Sequence, residues 1–181
     1  MNLPSSSAGQ AMTINANTLR ADQPGVTDET LTFNGAAELD GRFIVYSGAG
    51  DDTITGSAGN DTIYGAGGAD MLTGGGGNDV FAYMNAAHST SAERDQILDF
   101  TLGDLINLTS IDADTATGGN QAFAFIGTAA FSNVAGELRF ENAGGANWLV
   151  QGDVNGDGTS DFEILVTVSD ADPITSADFM L

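Results

Sequence analysis

The chain has 181 residues, and its 4 Lys plus Arg against 25 Asp plus Glu give a formal net charge of −21. So acidic a chain repels nucleic acid, anionic membranes and polyanionic substrates, which excludes these as partners. There is no cysteine, so disulfides and thiolate metal sites are excluded too, and a bound cation is the alternative means of stabilisation. We expect a monomer.

The first 46 residues predict a tail followed by two strands. Residues 1–29 are rich in Ser, Asn and Thr without clear periodicity, which predicts a flexible N-terminal tail. They lack the apolar core of a cleaved signal peptide, so we expect export to depend on another signal. Residues 30–33 and 42–46 are strand-prone. Phe43 stands in the register of the aspartates that follow, which predicts a degenerate, metal-free coil covering the end of a repeat.

Residues 47–82 form four nine-residue units, each with a Gly-rich half and a short strand-prone half. An Asp recurs every nine residues, and an apolar residue stands two positions after each one: Asp52 and Ile54, Asp61 and Ile63, Asp70 and Leu72, Asp79 and Phe81. This period is typical of a chain that turns tightly, runs extended and turns again. We therefore predict a β-roll over residues 30–82, with the apolar residues pointing into the coil.

The period also predicts where the carboxylates meet. Two units close one coil of 18 residues, which places Asp52 beside Asp70 and Asp61 beside Asp79. Carboxylates at that separation repel each other unless a cation lies between them. Ligands that are all oxygen select a hard ion of the calcium type. The alternative, a metal-free roll, would leave four carboxylates stacked in pairs.

Residues 83–181 predict a small C-terminal β-sandwich that shares the core of the roll. Residues 83–94 are a polar loop, and His88, the one histidine, is expected at its surface. The strand-prone segments that follow are 96–98, 104–108, 122–126, 137–140, 148–150 and 162–168. Because the roll alone buries one modest apolar ladder, most of the core is expected in this half.

Two further acidic groups are candidate metal sites. Asp153, Asn155, Asp157, Thr159 and Asp161 have nearly the ligand spacing of an EF-hand loop, but Ile164 stands where the bidentate Glu belongs. A tight Asp/Asn/Gly hairpin turn is the alternative interpretation. Asp95, Asp99 and Asp104 form a weaker cluster, for which metal binding and a solvated surface both stay open.

Taken together, these motifs resemble a known family. The four units resemble the calcium-binding nonapeptides of RTX (repeats-in-toxin) proteins. Residues 47–181 are also similar to the C-terminal region of serralysin-type metalloproteases and of mannuronan epimerase accessory modules, through segments 95–100, 103–108, 135–138, 153–162 and 178–181. The resemblance implies an all-β fold, a right-handed parallel β-roll continuing into the sandwich.

The resemblance further implies at least two calcium ions in the roll, each held between turns 18 residues apart. One site would use the carboxylates of Asp52 and Asp70 with the carbonyls of Gly48, Gly50, Gly65 and Gly67. The other would use the carboxylates of Asp61 and Asp79 with the carbonyls of Ser57, Gly59, Gly74 and Gly76.

For function, the resemblance implies a non-enzymatic domain that folds on calcium binding and directs type I secretion of an extracellular bacterial protein. The sequence contains no His-Glu-x-x-His and no Gly-x-Ser-x-Gly. The terminal Asp178, Phe179, Met180 and Leu181 look like the uncleaved signal read by a type I secretion apparatus, although a strand closing the sandwich would have the same pattern. The alternative function is an extracellular carbohydrate- or surface-binding accessory module of a larger secreted enzyme. The scarcity of cationic residues disfavours an acidic glycan.

Overall fold

The computed structural model describes residues 10–16, 30–170 and 173–181. Its fourteen strands are β1 (Ala11–Asn15), β2 (Thr32–Asn34), β3 (Arg42–Gly48), β4 (Thr53–Thr55), β5 (Thr62–Ala66), β6 (Met71–Thr73), β7 (Val80–Ala82), β8 (Asp95–Phe100), β9 (Leu105–Asn107), β10 (Ala124–Gly127), β11 (Glu137–Gly144), β12 (Asn147–Asp153), β13 (Phe162–Val168) and β14 (Phe179–Met180). Two 3-10 turns, Ala86–His88 and Ser176–Asp178, complete the structure of these residues. The predicted all-β class is confirmed. Within the described ranges, no helix has the length and apolar character that a membrane span requires.

The strands form two sheets. The first has the order β1-β3-β5-β7-β9-β14, and every pairing in it is parallel. The second has the order β10-β11-β12-β13-β8-β6-β4-β2 and is parallel from β13 to β2. Successive strands of the repeat region alternate between the two sheets, as expected for a coil that turns twice per winding.

The apolar residues of the repeat units form two buried ladders. Ile63 pairs with Phe81 in one sheet, and Ile54 pairs with Leu72 in the other. All four side chains are at most 1% exposed. The prediction that they point into the coil is therefore confirmed, and burial of each contributes about 1.5–3 kcal/mol.

Both sheets continue past residue 82, where the sequence predicts a domain boundary. Strand β8 pairs with β6, and β9 pairs with β7, so the next winding of the roll comes from the C-terminal half. The antiparallel hairpins β11-β12 and β12-β13 then extend the second sheet. Leu138, Val150, Phe162 and Ile164 of these strands are 0% exposed and belong to the same core as the roll.

The N-terminal end of the roll differs from the prediction. Residues 11–15, predicted as part of a flexible tail, form β1 and pair in parallel with β3, so the tail prediction is wrong for them. The physical reason is that Met12 and Ile14 alternate with polar residues and pack partly against the core. Residues 1–9 and 17–29 of the predicted tail lie outside the described residues.

Phe43, predicted to mark a degenerate coil, takes the position of an aspartate in the stack, and its amide donates to Asp61 Oδ1 at 2.5 Å. The Phe43 side chain is 4% exposed and packs edge-on against Phe33, with ring centroids 5.0 Å apart. An aromatic ring thus takes the place of a carboxylate here, and strand β1 lies outside β3 at the edge of the first sheet.

Candidate metal centre

Six aspartates lie in two stacked columns at the turns of the roll. The first aspartate column contains Asp52, Asp70 and Asp95, and the second contains Asp61, Asp79 and Asp104. In the first, the Asp52 amide donates to Asp70 Oδ1 at 2.9 Å and the Asp70 amide donates to Asp95 Oδ1 at 3.0 Å. In the second, both equivalent hydrogen bonds are 2.8 Å long. The predicted meeting of aspartates 18 residues apart is therefore present in the structure.

These carboxylates are buried, and no positive side chain in the described part of the chain pairs with them. The six residues are between 0% and 3% exposed. The ion pairs found among the described residues are Arg94 with Glu163 and Arg139 with Glu141, and neither involves a column aspartate. Burying like charges so closely is costly unless protons or cations neutralise them.

Burial raises the pKa of several carboxyl groups in the columns. Loss of solvation, with a further contribution from the neighbouring Asp95, raises the pKa of Asp70 to about 9. Loss of solvation also raises the pKa of Asp79 and that of Asp95 to about 7 each. Without a cation, the folded columns therefore hold protons that the unfolded chain would release near neutral pH.

The Gly-rich turns bring backbone carbonyls of adjacent windings together. The Gly67 amide donates to the Gly48 carbonyl at 3.1 Å, and the Gly76 amide donates to the Ser57 carbonyl at 2.9 Å. The Ser57 hydroxyl and amide both reach the Asp61 carboxylate. The predicted carbonyl ligands Gly50, Gly59, Gly65 and Gly74 lie on the same turns. Which of these carbonyls bind an ion stays a prediction.

The donor set fits a hard divalent cation. Asp70 Oδ2 is buried and lacks any hydrogen-bond partner, as expected for a ligand oxygen whose ion is not part of the structure. No group of three or more His, Cys, Asp or Glu suited to a metal occurs among residues 10–16, 30–170 and 173–181. A site in these turns would therefore combine a pair of carboxylates with carbonyl oxygens, which is a calcium-type ligand set.

The outermost member of each column comes from beyond the repeats. Asp95 follows Asp70 by 25 residues, and Asp104 follows Asp79 by 25, so the 18-residue period hides both. The signal that reveals them is that Asp95 and Asp104 are themselves nine residues apart, with Ile97 and Ile106 two positions later. They continue the Asp-x-apolar half of the repeat, and of the glycine-rich half only Gly103, directly before Asp104, is present.

Comparison with known proteins decides what the units are. Residues 46–81 match the family model of the RTX calcium-binding nonapeptide repeat, in 4 copies. The four units are RTX repeats. Calcium is the ion that such repeats bind, and their number implies several ions.

The fold has a counterpart among solved structures. The chain is similar to the solution structure of the AlgE6R3 subunit of a mannuronan C5-epimerase from Azotobacter vinelandii, with 23% identity and a TM-score of 0.55. The match covers 87% of this chain and 81% of that one. The likeness supports the β-roll fold. No curated protein matches the chain.

The loop from Asp153 to Asp161 folds as a series of side-chain-capped turns. Asp153, which is 0% exposed, accepts hydrogen bonds from the amides of Asn155, Gly156 and Gly158. Asn155 caps the Asp157 amide, Asp157 caps the Thr159 amide, and Asp161 caps the Val154 amide. The loop thus has the geometry of the predicted hairpin turn between β12 and β13, and calcium binding by its side chains stays a prediction.

Two other predicted positions lie apart from the columns. His88 ends the 3-10 turn Ala86–His88 and is partly buried, which lowers the pKa of its imidazole.

Phe179 and Met180 form β14, the last strand of the first sheet, while the Asp178 carboxylate accepts a 2.6 Å hydrogen bond from the Thr175 amide. Residues 179 and 180 thus form an edge strand of the first sheet, as one of the two interpretations of this segment predicts.

Proposed function

We propose that this chain is a non-enzymatic RTX module of an extracellular bacterial protein, and that calcium binding drives its folding. The observation that carries the proposal is the burial of six aspartates in two columns with no cationic side chain of the described residues paired to them. Without calcium, their mutual repulsion and the entropy of the Gly-rich turns oppose folding. Bound only to the folded form, calcium adds about 2.7 kcal/mol per site at 100 times its dissociation constant. Two such sites are comparable with a net domain stability of about 5–15 kcal/mol.

The test is a calcium titration of the metal-free protein followed by far-ultraviolet circular dichroism. We expect a disordered spectrum in chelator and a cooperative gain of β signal as calcium is added. Magnesium at the same concentration should not replace calcium, because it requires a small octahedral site and loses its water reluctantly. An equal β signal with chelator and with calcium would defeat the proposal.

Export through a type I apparatus is the second part of the proposed function. It is supported by the terminal acid followed by three apolar residues, Asp178–Leu181. In the folded protein this segment is held by pairing of β14 with β9, so the apparatus would read it before folding, when calcium is scarce. Removing the four residues should abolish release of the chain from a bacterium carrying such an apparatus, while an unrelated substrate is still released. Undiminished release of the truncated chain would argue against this role.

A groove beside the repeats favours a second candidate function, binding of a neutral sugar. Tyr46 and Tyr64 stack with ring centroids 4.4 Å apart, and together with Met84 and His88 they line a groove of about 480 Å³. Aromatic faces are suited to apolar sugar faces, and burial lowers the pKa of His88, so no charged side chain lines the groove near neutral pH. Binding on a neutral glycan array that Tyr64→Ala abolishes would support this function, and an array without signal would remove it.

A further inference from the structure

The tyrosine groove, which is lined by Tyr46, Tyr64, Ala82, Met84 and His88, lies where a ladder of aromatic rings ends. Tyr46, Tyr64 and Ala82 follow one another at intervals of 18 residues, on the paired strands β3, β5 and β7. The rings of Tyr46 and Tyr64 stack with an angle of 13° between their planes. At the third position the chain has only a methyl group, so the ladder ends at Tyr64 and leaves the groove beside it.

The space beside Tyr64 suits one more ring. Because Tyr46 stacks on one face of the Tyr64 ring, the opposite face is turned towards the position of Ala82. The Met84 side chain, which is 55% exposed, lines the same groove. An aromatic face and a polarisable thioether both pack well against the apolar face of a ring. The tyrosine groove is therefore a stacking position, and the small size of Ala82 creates it.

A second groove shares Met84 with the first and adds polar side chains. This polar groove has a volume of about 470 Å³. Its lining includes Asn85, Ser110 and Asp112, whose side chains carry amide, hydroxyl and carboxylate groups. No lysine or arginine is among the described residues that line either groove. One side chain, Met84, thus stands between a stacking position and a set of hydrogen-bonding groups.

The combination of the two grooves selects a class of ligand. An anion would be repelled by Asp112 and by the net charge of −21. A wholly apolar ring would fill the tyrosine groove but would form no hydrogen bonds in the polar groove. A neutral sugar chain fits both, because its ring faces are apolar and its hydroxyl groups donate to carboxylate and amide oxygens.

We propose that the two grooves form one site for a neutral oligosaccharide. One sugar ring stacks on Tyr64 above Ala82, and the next part of the chain crosses Met84 into the polar groove. The proposal rests on the sugar binding given above as the second candidate function. It deepens that function by naming the residue that creates the stacking position and by requiring a chain of sugars as the ligand.

The first measurement compares single sugars with short chains of the same sugar. Glucose, mannose, galactose and N-acetylglucosamine are printed on an array, alone and as linear oligosaccharides, and the full-length protein is applied in calcium. Isothermal titration calorimetry then gives the affinity for the oligosaccharide that binds best. This affinity should exceed that for the corresponding single sugar by about tenfold or more, because only the chain reaches the hydrogen-bonding groups of the polar groove.

Ala82→Tyr should complete the ladder and fill the stacking position with a ring of the protein itself. The affinity for the same oligosaccharide should fall by about tenfold or more. Ala11→Tyr is the matched control, because it adds the same side chain at an exposed position of strand β1 in the same sheet. It should leave the affinity unchanged.

Ser110→Trp covers the case in which circular dichroism in calcium shows that Ala82→Tyr does not fold. Ser110 is exposed, so a larger side chain is accommodated there while it blocks the polar groove. The affinity for the oligosaccharide should fall to that for the single sugar, and the affinity for the single sugar should stay the same.

The outcomes separate this site from the proposed function. An oligosaccharide that binds the folded variants as tightly as the wild type, or no more tightly than its single sugar, would overturn the extended site and leave sugar binding intact. An array without signal would overturn both. A peptide carrying tryptophan and lysine is applied in parallel, and its binding in place of any glycan would also overturn both. The proposed calcium-dependent folding depends on none of these results.

Discussion

Asp70→Asn should destabilise the protein in calcium and stabilise it in chelator. In calcium the substitution removes a carboxylate ligand, and each ion lost costs about 2.7 kcal/mol when calcium stands at 100 times the dissociation constant. In chelator it removes a carboxyl group that must take up a proton to be buried next to Asp95, but it keeps the acceptor for the Asp52 amide. The midpoint of urea unfolding in calcium should therefore fall, whereas the β signal in chelator, where the wild type is disordered, should rise.

The same substitution should change the pH dependence in chelator. Burial raises the pKa of Asp70 to about 9 in the folded chain, above its ordinary value of 3.8. A raised carboxyl pKa favours folding below the unfolded value, and this contribution is lost as the pH rises through the folded value. The advantage of Asp70→Asn over the wild type should hence be small near pH 4 and grow towards pH 9.

Asp51→Asn is the control for this experiment. Asp51 is an exposed neighbour whose carboxylate caps the Ala69 amide, and its substitution removes the same unit of charge. Because the Asp51 charge makes only a minor contribution to the raised pKa of Asp70, we expect a change within about 0.5 kcal/mol in calcium and a smaller gain of β signal in chelator than for Asp70→Asn. If Asp70→Asn left the urea midpoint in calcium unchanged, or lowered the β signal in chelator, the metal-ligand interpretation of the first aspartate column would be wrong.

Gly68→Ala should cost about 2–5 kcal/mol in saturating calcium. Gly68 has a φ of +101°, and a Cβ there would lie 2.6 Å from both the carbonyl carbon and the carbonyl oxygen of Gly50 on the adjacent winding. Those atoms are backbone, so they cannot rotate away as a flexible side chain could. The turns would have to separate, and separation would open the predicted ion site between them. Urea unfolding measures the loss.

Gly144→Ala separates backbone strain from the clash between windings. Gly144 has a similar φ of +112°, but nothing lies within 4 Å of a Cβ added there. Its substitution should cost about 1–2 kcal/mol, the ordinary penalty of a left-handed conformation. Equal losses for the two variants would show that close stacking of the turns contributes nothing to stability.

The roll could be predicted from the sequence because its repeat is strictly local. A nine-residue spacing fixes both the turn and the strand of every unit, so the stacking of Asp52 on Asp70 and the burial of Ile63 follow directly. The strands of the C-terminal half were found for a similar reason, since each is a short β-prone run between turns.

The remaining features depend on contacts distant in sequence. The seven extra residues before Asp95 break the period, so its place in the first aspartate column becomes visible only through the pairing of β8 with β6. Strand β1 was missed because the short alternation of Met12 and Ile14 is stabilised only by pairing with β3, some thirty residues away. The sharing of both sheets by the two halves was likewise hidden, because strand pairing across the chain leaves no periodic signal.

Diffraction from crystals grown in calcium, recorded at a long wavelength where calcium scatters anomalously, tests the central claim most directly. We expect an anomalous peak between Asp52 and Asp70 and another between Asp61 and Asp79, each within about 2.3–2.6 Å of carboxylate oxygens. Aspartates that stack as described here with no anomalous peak beside them would contradict it.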